Sequence, residues 1–426
     1  MASIVVNGDT SGSVTLSAPA VAGTVTVTLP ATTGTMLTTA SSTGISGSAI
    51  SSGTVAEAYG GTGTNTGYYG FKNRIINGAM VISQRGTSPT ITGGGDYSLD
   101  RFGSYYSGNA FTSVQSTTAP VGFINSMLFT VTSTSASPTY SFFYQRIEGF
   151  NCADLGFGLS TASTITLSFW VRSSVTGIYS IALGNDGGNR SYAAQYTINS
   201  ANTWEQKTIT ILGDTSGTWL TNNAVGISVR WNMGTSSGSR LISAGSWQAA
   251  NADGATGSTG ANTWANTASA TFYITGVQLE KGSTATSFDY RPYGTELNLC
   301  QRYYWQSASK ANGTQFWEYS GAVTDGTTVR INFYLPTAMR TQPSIAINPA
   351  YNTGSSWQIN VTGITNYALT QAPTILGNDG AASGGGNMIA IAFKSSGISS
   401  AQYGLGAIPY ATTGTATNNF QFSAEL

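Results

Sequence analysis

The 426-residue chain has no histidine, which excludes Ser-His-Asp and Cys-His catalysis, His-ligated zinc and imidazole base chemistry. Its two cysteines, Cys152 and Cys300, lie too far apart in sequence for a CxxC redox or zinc-ribbon motif. One disulfide is open to them; two buried free thiols is the expectation. No metal site and no cofactor are expected. Charge is scarce too: Asp, Glu, Lys and Arg make up 8% of the chain, against about 25% in an ordinary globular protein, and the net charge is zero. No Lys/Arg cluster forms a basic face, which argues against nucleic-acid binding. No apolar run approaches the ~20 residues of a membrane-spanning helix, so no membrane insertion is expected. The opening MASIVVNGDTSG lacks the basic-then-apolar order of a secretory signal.

What is present points to an all-β protein. Hydrophobic residues make up 40% and aromatics 11%, enough for real cores. Short alternating runs rich in Thr, Val, Ile and Tyr are separated by Gly/Asn/Asp turns. The organising stretch is TFYITGVQLEKGSTATSFDYRPYGTELNLCQRYYW, residues 271–305. Phe272, Ile274 and Val277 alternate with smaller neighbours, and Gly276 breaks their register as a bulge. In Gly282–Pro292, Phe288 and Tyr290 point one way, Asp289 and Arg291 the other. Thr295–Trp305 reads as the one convincing short helix, with Thr295 as its N-cap and Glu296 in its first turn.

That junction divides the chain into residues 1–70, 71–294 and 295–426. The first part carries only two charges, Asp9 and Glu57. Ser13–Ser17 and Thr24–Leu29 alternate with period two and predict a β-hairpin. So little apolar surface cannot order seventy residues alone, so this arm needs identical chains or another protein, unless it is a flexible linker. Residues 71–294 predict a jelly-roll β-sandwich, with an Asn77-Gly78 turn and strands at 126–132, 141–147, 164–172, 177–183, 193–198, 205–212, 224–231 and 271–279. Trp170 and Trp204 are expected in its core. Residues 295–426 predict the short helix followed by a C-terminal β-sandwich, with strands near 314–320, 328–335, 344–348, 358–362, 388–393 and 420–426.

Flat rings on a Gly/Ser/Asn background suit sugar stacking, since a ring covers a pyranose face while nearby amides bond its hydroxyls. The excursion 232–270 carries Trp247 and Trp264, and Trp219 lies in another turn-rich stretch. Trp317, Tyr319, Tyr351 and Trp357 add rings in the last part. These seven are the candidate ligand-binding residues; each could equally pin a loop, fill a core or meet a second subunit. Asp100-Arg101 and Asp289-Arg291 read as charge-paired structural groups.

FKNRIINGAMVISQRG followed by YSLDRF, the block GVQLEKGSTATSFDYRPYGTELNLCQRYYW and the terminal FQFSAEL resemble the tail fibres and receptor-binding proteins of tailed bacteriophages. GSVTLSAPAVAGTVTVTLPATTGTML with AYGGTGTNTG resembles their N-terminal parts, and the middle part resembles the jelly rolls of carbohydrate-binding modules. The resemblance implies a homotrimer in the virion, made in the host cytoplasm and released by lysis. Residues 1–70 would attach to phage tail or adaptor proteins. The distal β units, with residues 295–426 as the tip, would bind a host cell-surface polysaccharide or lipopolysaccharide, without catalysis. Low charge suits a neutral, hydroxylated polymer. Two alternatives remain: a polysaccharide-degrading tailspike enzyme, and a cellular carbohydrate-binding or adhesin module.

Overall fold

A computed structural model describes residues 3–7, 13–17, 71–87, 89–308, 314–316, 318–348, 357–361, 365–378, 388–399, 402–411 and 419–426. The chain is all-β and divides into two compact units, Met1–Val55 and Ala56–Leu426. In the first, Ser13–Ser17 forms an antiparallel pair with Ser3–Asn7. The hairpin predicted from Thr24–Leu29 therefore has a different partner on its described side, and Thr24–Leu29 itself lies outside the described residues.

The larger unit opens with a two-sheet sandwich. Its strands are β1 (Gly94–Tyr97), β2 (Gly103–Ser107), β3 (Ala110–Ser116), β4 (Ser126–Ser133), β5 (Tyr140–Glu148), β6 (Ile165–Ser173), β7 (Gly177–Gly184), β8 (Ser191–Ile198), β9 (Glu205–Ile211), β10 (Val225–Asn232), β11 (Trp247–Gln248) and β12 (Thr271–Lys281). One sheet has the order β11-β8-β7-β10-β5-β2-β1, the other β9-β6-β12-β4-β3. Period-two alternation builds the core between them. Phe143, Ile181, Val229 and Trp231 come from the first sheet, and Phe129, Leu167, Phe169 and Phe272 from the second. Phe143 stacks on Trp231 at 5.0 Å with a 3° interplanar angle. Trp170 and Trp204, expected inside, are only half-buried. Phe169 and Val171 take the inward positions of β6, so Trp170 between them must face outward.

The bulge at Gly276 is present: pairing of β12 with β6 shifts register between Thr275 and Gln278, and Gly276 has φ +60°. Beyond it β12 changes its other neighbour. Residues Thr271–Ile274 pair with β4, whereas Val277 and Leu279 bond the segment 73–78. Val277 N–H donates to the Gly78 carbonyl at 3.0 Å, Leu279 N–H to Asn73 Oδ1 at 3.0 Å, and Asn73 Nδ2 to the Val277 carbonyl at 2.9 Å. The Asn77-Gly78 turn needs glycine because a Cβ at Gly78 would fall 2.1 Å from the Val277 oxygen.

After β12 the chain folds back. Phe288 and Tyr290 cluster with Phe123 at 5.1 and 5.5 Å, while Asp289 accepts from Asn73 N–H at 3.1 Å on the other side. Arg291 reaches Glu296 at 3.3 Å and lies 4.0 Å from Asp289, so its closer carboxylate is Glu296. The helix that follows, α2, runs Tyr293–Gln301, two residues earlier than predicted, with Pro292 and not Thr295 at the N-cap. Proline's fixed φ suits a helix entrance. The chain then straightens into a strand, Tyr304–Gln306, because Tyr304 and its neighbours pair with Asn419–Ser423.

The last part packs a three-stranded sheet (Tyr304–Gln306, Asn419–Ser423, Ser344–Asn348) against a larger sheet that contains Thr328–Tyr334, Trp357–Val361, Met388–Lys394 and Gly406–Ala411. Phe420 sits among Phe316, Phe333, Trp357 and Phe393. Gly406–Ala411 begins where the sequence reads as the end of a glycine-rich loop.

The two β parts of this unit meet through ion pairs and rings. Arg101, 1% exposed, pairs with Glu425 and lies 3.5 Å over the Tyr303 ring. Asp100, its expected partner, instead accepts from Gln84 N–H at 2.7 Å. Arg302 grips Glu148 with two bonds of 2.9 and 2.5 Å. Cys152 and Cys300 are buried free thiols, and burial pushes Cys152 up to about 12.

Replacing Gly276 by Val tests the bulge. A Cβ there would meet Phe123 Cζ at 2.6 Å and Trp170 Cδ1 at 3.0 Å, on a left-handed backbone. The expected loss is about 1–3 kcal/mol from the backbone alone, read as a lower unfolding midpoint. An unchanged midpoint would show that the bulge tolerates a side chain.

Candidate functional site

β5 reads Tyr-Ser-Phe-Phe-Tyr-Gln-Arg-Ile-Glu. Alternation sends Phe143 and Ile147 into the core and places Tyr140, Phe142, Tyr144 and Arg146 on the opposite, outer face of the seven-stranded sheet. Its neighbours continue the rows. Tyr105 of β2 sits opposite Phe142, Ser228 of β10 opposite Arg146, and Arg230 opposite Tyr144.

Half of this outer face is roofed. The excursion between β10 and β12, expected as an irregular loop, folds back over β7 and β8. Ala182 and Ala193 on the sheet pack against Ile242, Ala252 and Ala255 above them. Ser180 Oγ accepts from Ala255 N–H at 3.0 Å, and Ser191 Oγ donates to the Ala250 carbonyl at 2.8 Å. Where the excursion crosses Asn232 only glycine fits, since a Cβ at Gly254 would lie 2.6 Å from Asn232 Nδ2. Within the excursion a helix, α1 (Thr259–Ala265), drops Trp264 into the sandwich core.

The open half is a groove of about 260 Å³, lined by Tyr105, Tyr140, Phe142, Tyr144, Arg146, Ser228, Arg230, Arg240 and Asn251. Tyr105, 36% exposed, stacks on Phe142 at 5.7 Å and 10°. A guanidinium lies over each outer-face ring of β5: Arg240 5.5 Å from Tyr140, Arg230 5.8 Å from Phe142 and Arg146 4.9 Å from Tyr144. These are cation–π distances. Asp253, fully buried, holds Arg240 by two bonds of 3.0 and 2.6 Å and Arg230 by one of 3.3 Å. Arg230 Nη1 also donates to Asn251 Oδ1 at 2.7 Å and to the Ala252 carbonyl at 2.8 Å. Burial lowers the Arg230 guanidinium to about 10, and the Asp253 charge opposes that shift. The groove therefore offers the exposed ring of Tyr105 and the half-buried ring of Tyr140 for stacking, beside the buried rings of Phe142 and Tyr144, and fixed N–H donors for hydroxyl or anionic oxygens. None of its lining side chains is a carboxylate.

The seven candidates from sequence separate. Trp317 and Tyr351 lie outside the described residues. Trp264, Trp357 and Tyr319 are buried, at 0%, 1% and 8% exposure, so their rings are core surfaces with no face to offer a sugar. Trp219 and Trp247 are half-buried and come together at 5.3 Å, edge to face, with Phe157 against both. Their indole N–H groups bond the Ser216 and Leu212 carbonyls at 3.1 and 2.7 Å, which pins two loops at the β11 end of the sheet. The groove rings are not among the seven candidates, which come from turn-rich stretches and from residues 295–426. The available signal was in β5 itself, whose aromatics occupy both alternating faces.

A second cavity, of about 350 Å³, lies beside Phe123, Ile124, Phe288, Tyr290 and Tyr293 at the start of α2. Val121, Ile124, Tyr290 and Tyr293 leave an apolar patch exposed around it.

No protein-family model and no curated protein matches the chain. Among solved structures, the enzymatically active domain of tailspike protein 4 from bacteriophage CBA120 aligns at 13% identity and TM-score 0.29, over 50% of this chain and 22% of that one. A CBM4 structure aligns at 14% and 0.26, over 49% and 99%. A family 11 carbohydrate-binding module from Clostridium thermocellum, in complex with a β-1,3-1,4-mixed-linked tetrasaccharide, aligns at 12% and 0.23, over 48% and 99%. The chain thus spans about a fifth of the tailspike's length. Likeness this slight carries no argument, and the reading below rests on the groove.

Core and groove rings should separate by experiment. Trp264→Ala and Trp357→Ala should each cost about 3–5 kcal/mol of stability, seen in denaturant unfolding. Either variant unfolding like the parent would return that ring to the list of binding candidates.

Proposed function

We propose that the chain is a glycan-binding protein whose central sandwich holds a polysaccharide along the open half of its seven-stranded sheet. The carrying observation is the strip in which the exposed Tyr105 and half-buried Tyr140 flank the buried Phe142 and Tyr144, with arginine donors beside them and the excursion as its wall. Stacking against sugar faces together with fixed donors to their oxygens is the usual chemistry of such recognition. In this reading the site lies in residues 71–294, where Tyr105 is an exposed ring, and not in the 295–426 tip, where the described candidates Tyr319 and Trp357 are buried.

With the motif resemblance, the proposal extends to a receptor-binding tail fibre of a tailed phage. In this reading residues 1–70 attach to the tail, the groove binds a host surface polysaccharide or lipopolysaccharide, and the polymer is bound without being cut. The fibre is a homotrimer made in the host cytoplasm. The exposed apolar patch of Val121, Ile124, Tyr290 and Tyr293 supports self-association, because burying it against a second copy removes apolar surface from water.

The direct test measures binding of Tyr105→Ala to host polysaccharide by calorimetry. A central stacking contact should cost about 1–3 kcal/mol with unfolding unchanged, and no reducing ends should be released. Full binding by Tyr105→Ala would remove the groove as the site; reducing ends would make the protein an enzyme. Light scattering on the full chain should give about three times 44.1 kDa. A stable monomer at micromolar concentration would reject the trimer.

A further inference from the structure

The composition as a whole suits a neutral polymer, but charge in and beside the groove is unevenly distributed. Arg146, Arg230 and Arg240 line it, and the one carboxylate bonded to them is Asp253. Three positive charges and one negative leave an excess of two in a chain whose net charge is zero. The balance stays positive even if Leu426 carries a terminal carboxylate. Asp253 is already committed, chiefly to Arg240.

Arg146 and Arg230 have unused donors. Arg146 gives one nitrogen, Nη1, to the Leu426 carbonyl oxygen at 2.6 Å. Arg230 bonds its described partners through Nη1 alone. The remaining nitrogens of both have no hydrogen-bond partner among the described residues. Between the two arginines lies Ser228. It is the cross-strand partner of Arg146 and stands two residues before Arg230 on the same face of β10. Its side chain lines the groove, it is 2% exposed, and its Oγ has no partner among the described residues. A buried hydroxyl without a bond costs free energy until a ligand supplies one.

We infer that the groove, if it binds a glycan as proposed above, selects an anionic one, and that a carboxylate, phosphate or sulfate substituent sits between Arg146 and Arg230 over Ser228. Guanidinium forks match such oxygens in geometry as well as charge. The sugar ring carrying the substituent would then lie against Tyr105, the exposed ring of the strip. Binding carries an electrostatic component that salt screens, unlike stacking alone.

The test uses the full chain and matched polymers: polyglucuronate and its carboxyl-reduced form, and dextran with its phosphorylated and sulfated derivatives. The expected result is at least about tenfold tighter binding of one acidic polymer than of its neutral counterpart, with that preference shrinking as salt rises from 50 to 500 mM. The acidic derivative that binds best identifies the substituent. Ser228→Ala and Arg146→Gln should each bring the acidic-to-neutral ratio toward one. Circular dichroism checks their folding, and Ser228→Ala, which removes one buried oxygen, keeps the test valid if Arg146→Gln unfolds. Equal binding of acidic and neutral forms, still weakened by Tyr105→Ala, would overturn the anionic preference and leave the groove intact. Binding that ignores Tyr105 would instead overturn the groove. No binding to any of the polymers would overturn the inference.

Discussion

The bulge at Gly276 is the constraint from which the architecture of the larger unit follows. A strand in a sheet keeps one neighbour on each side for as long as its register lasts. At Gly276 the register of β12 breaks, and the N–H of Val277 turns to the Gly78 carbonyl instead of to β4. The segment 73–78 thereby becomes a surrogate strand, held at one end by the Asn73 side chain and at the other by the Gly78 carbonyl. The same segment presents Asn77, whose N–H is accepted by Glu296 of α2 and whose amide bonds Ile82 and Asp100. One irregular residue pair thus links the closing strand of the sandwich, the turn that opens it and the helix that leads out of it.

From there the connection to the last β part is electrostatic and aromatic more than hydrophobic. Arg101 is sandwiched between Glu425 and Tyr303, Arg302 is clamped on Glu148, and Arg85 lies 3.5 Å over Tyr304. Buried pairs of this kind are costly to break one partner at a time, although a well-packed apolar replacement can equal them in stability. Their directionality fixes a single orientation.

Much of the fold was legible because strands with one buried face advertise it. β4, β6, β8 and β12 alternate apolar and polar residues, and their predicted limits agree with the observed ones within two residues. β1 and β2 were illegible: GGDY and GSYYS carry too little apolar alternation, and the pairing of β1 with β2 and of β2 with β5 is set by tertiary context. α1 was hidden by glycine, asparagine and threonine, all weak helix formers, and is held by burial of Trp264. The groove was the least legible feature. Tryptophans drew the assignment, yet the bulkiest apolar rings, Trp231, Trp264 and Trp357, fill cores. The strip is made of tyrosine, phenylalanine and arginine from strands and an excursion that become neighbours only through sheet order.

Ala182 and Ala193 deserve a last consequence. They are the small side chains on which the excursion rests, and their size sets how closely it approaches β7 and β8. The roof ends where these methyl groups end, and the uncovered strip begins at Arg230. Two alanines therefore act as spacers that determine how much of the sheet face stays uncovered. A lineage or an engineer could widen or narrow the open strip by altering these two side chains, leaving its rings and charges untouched.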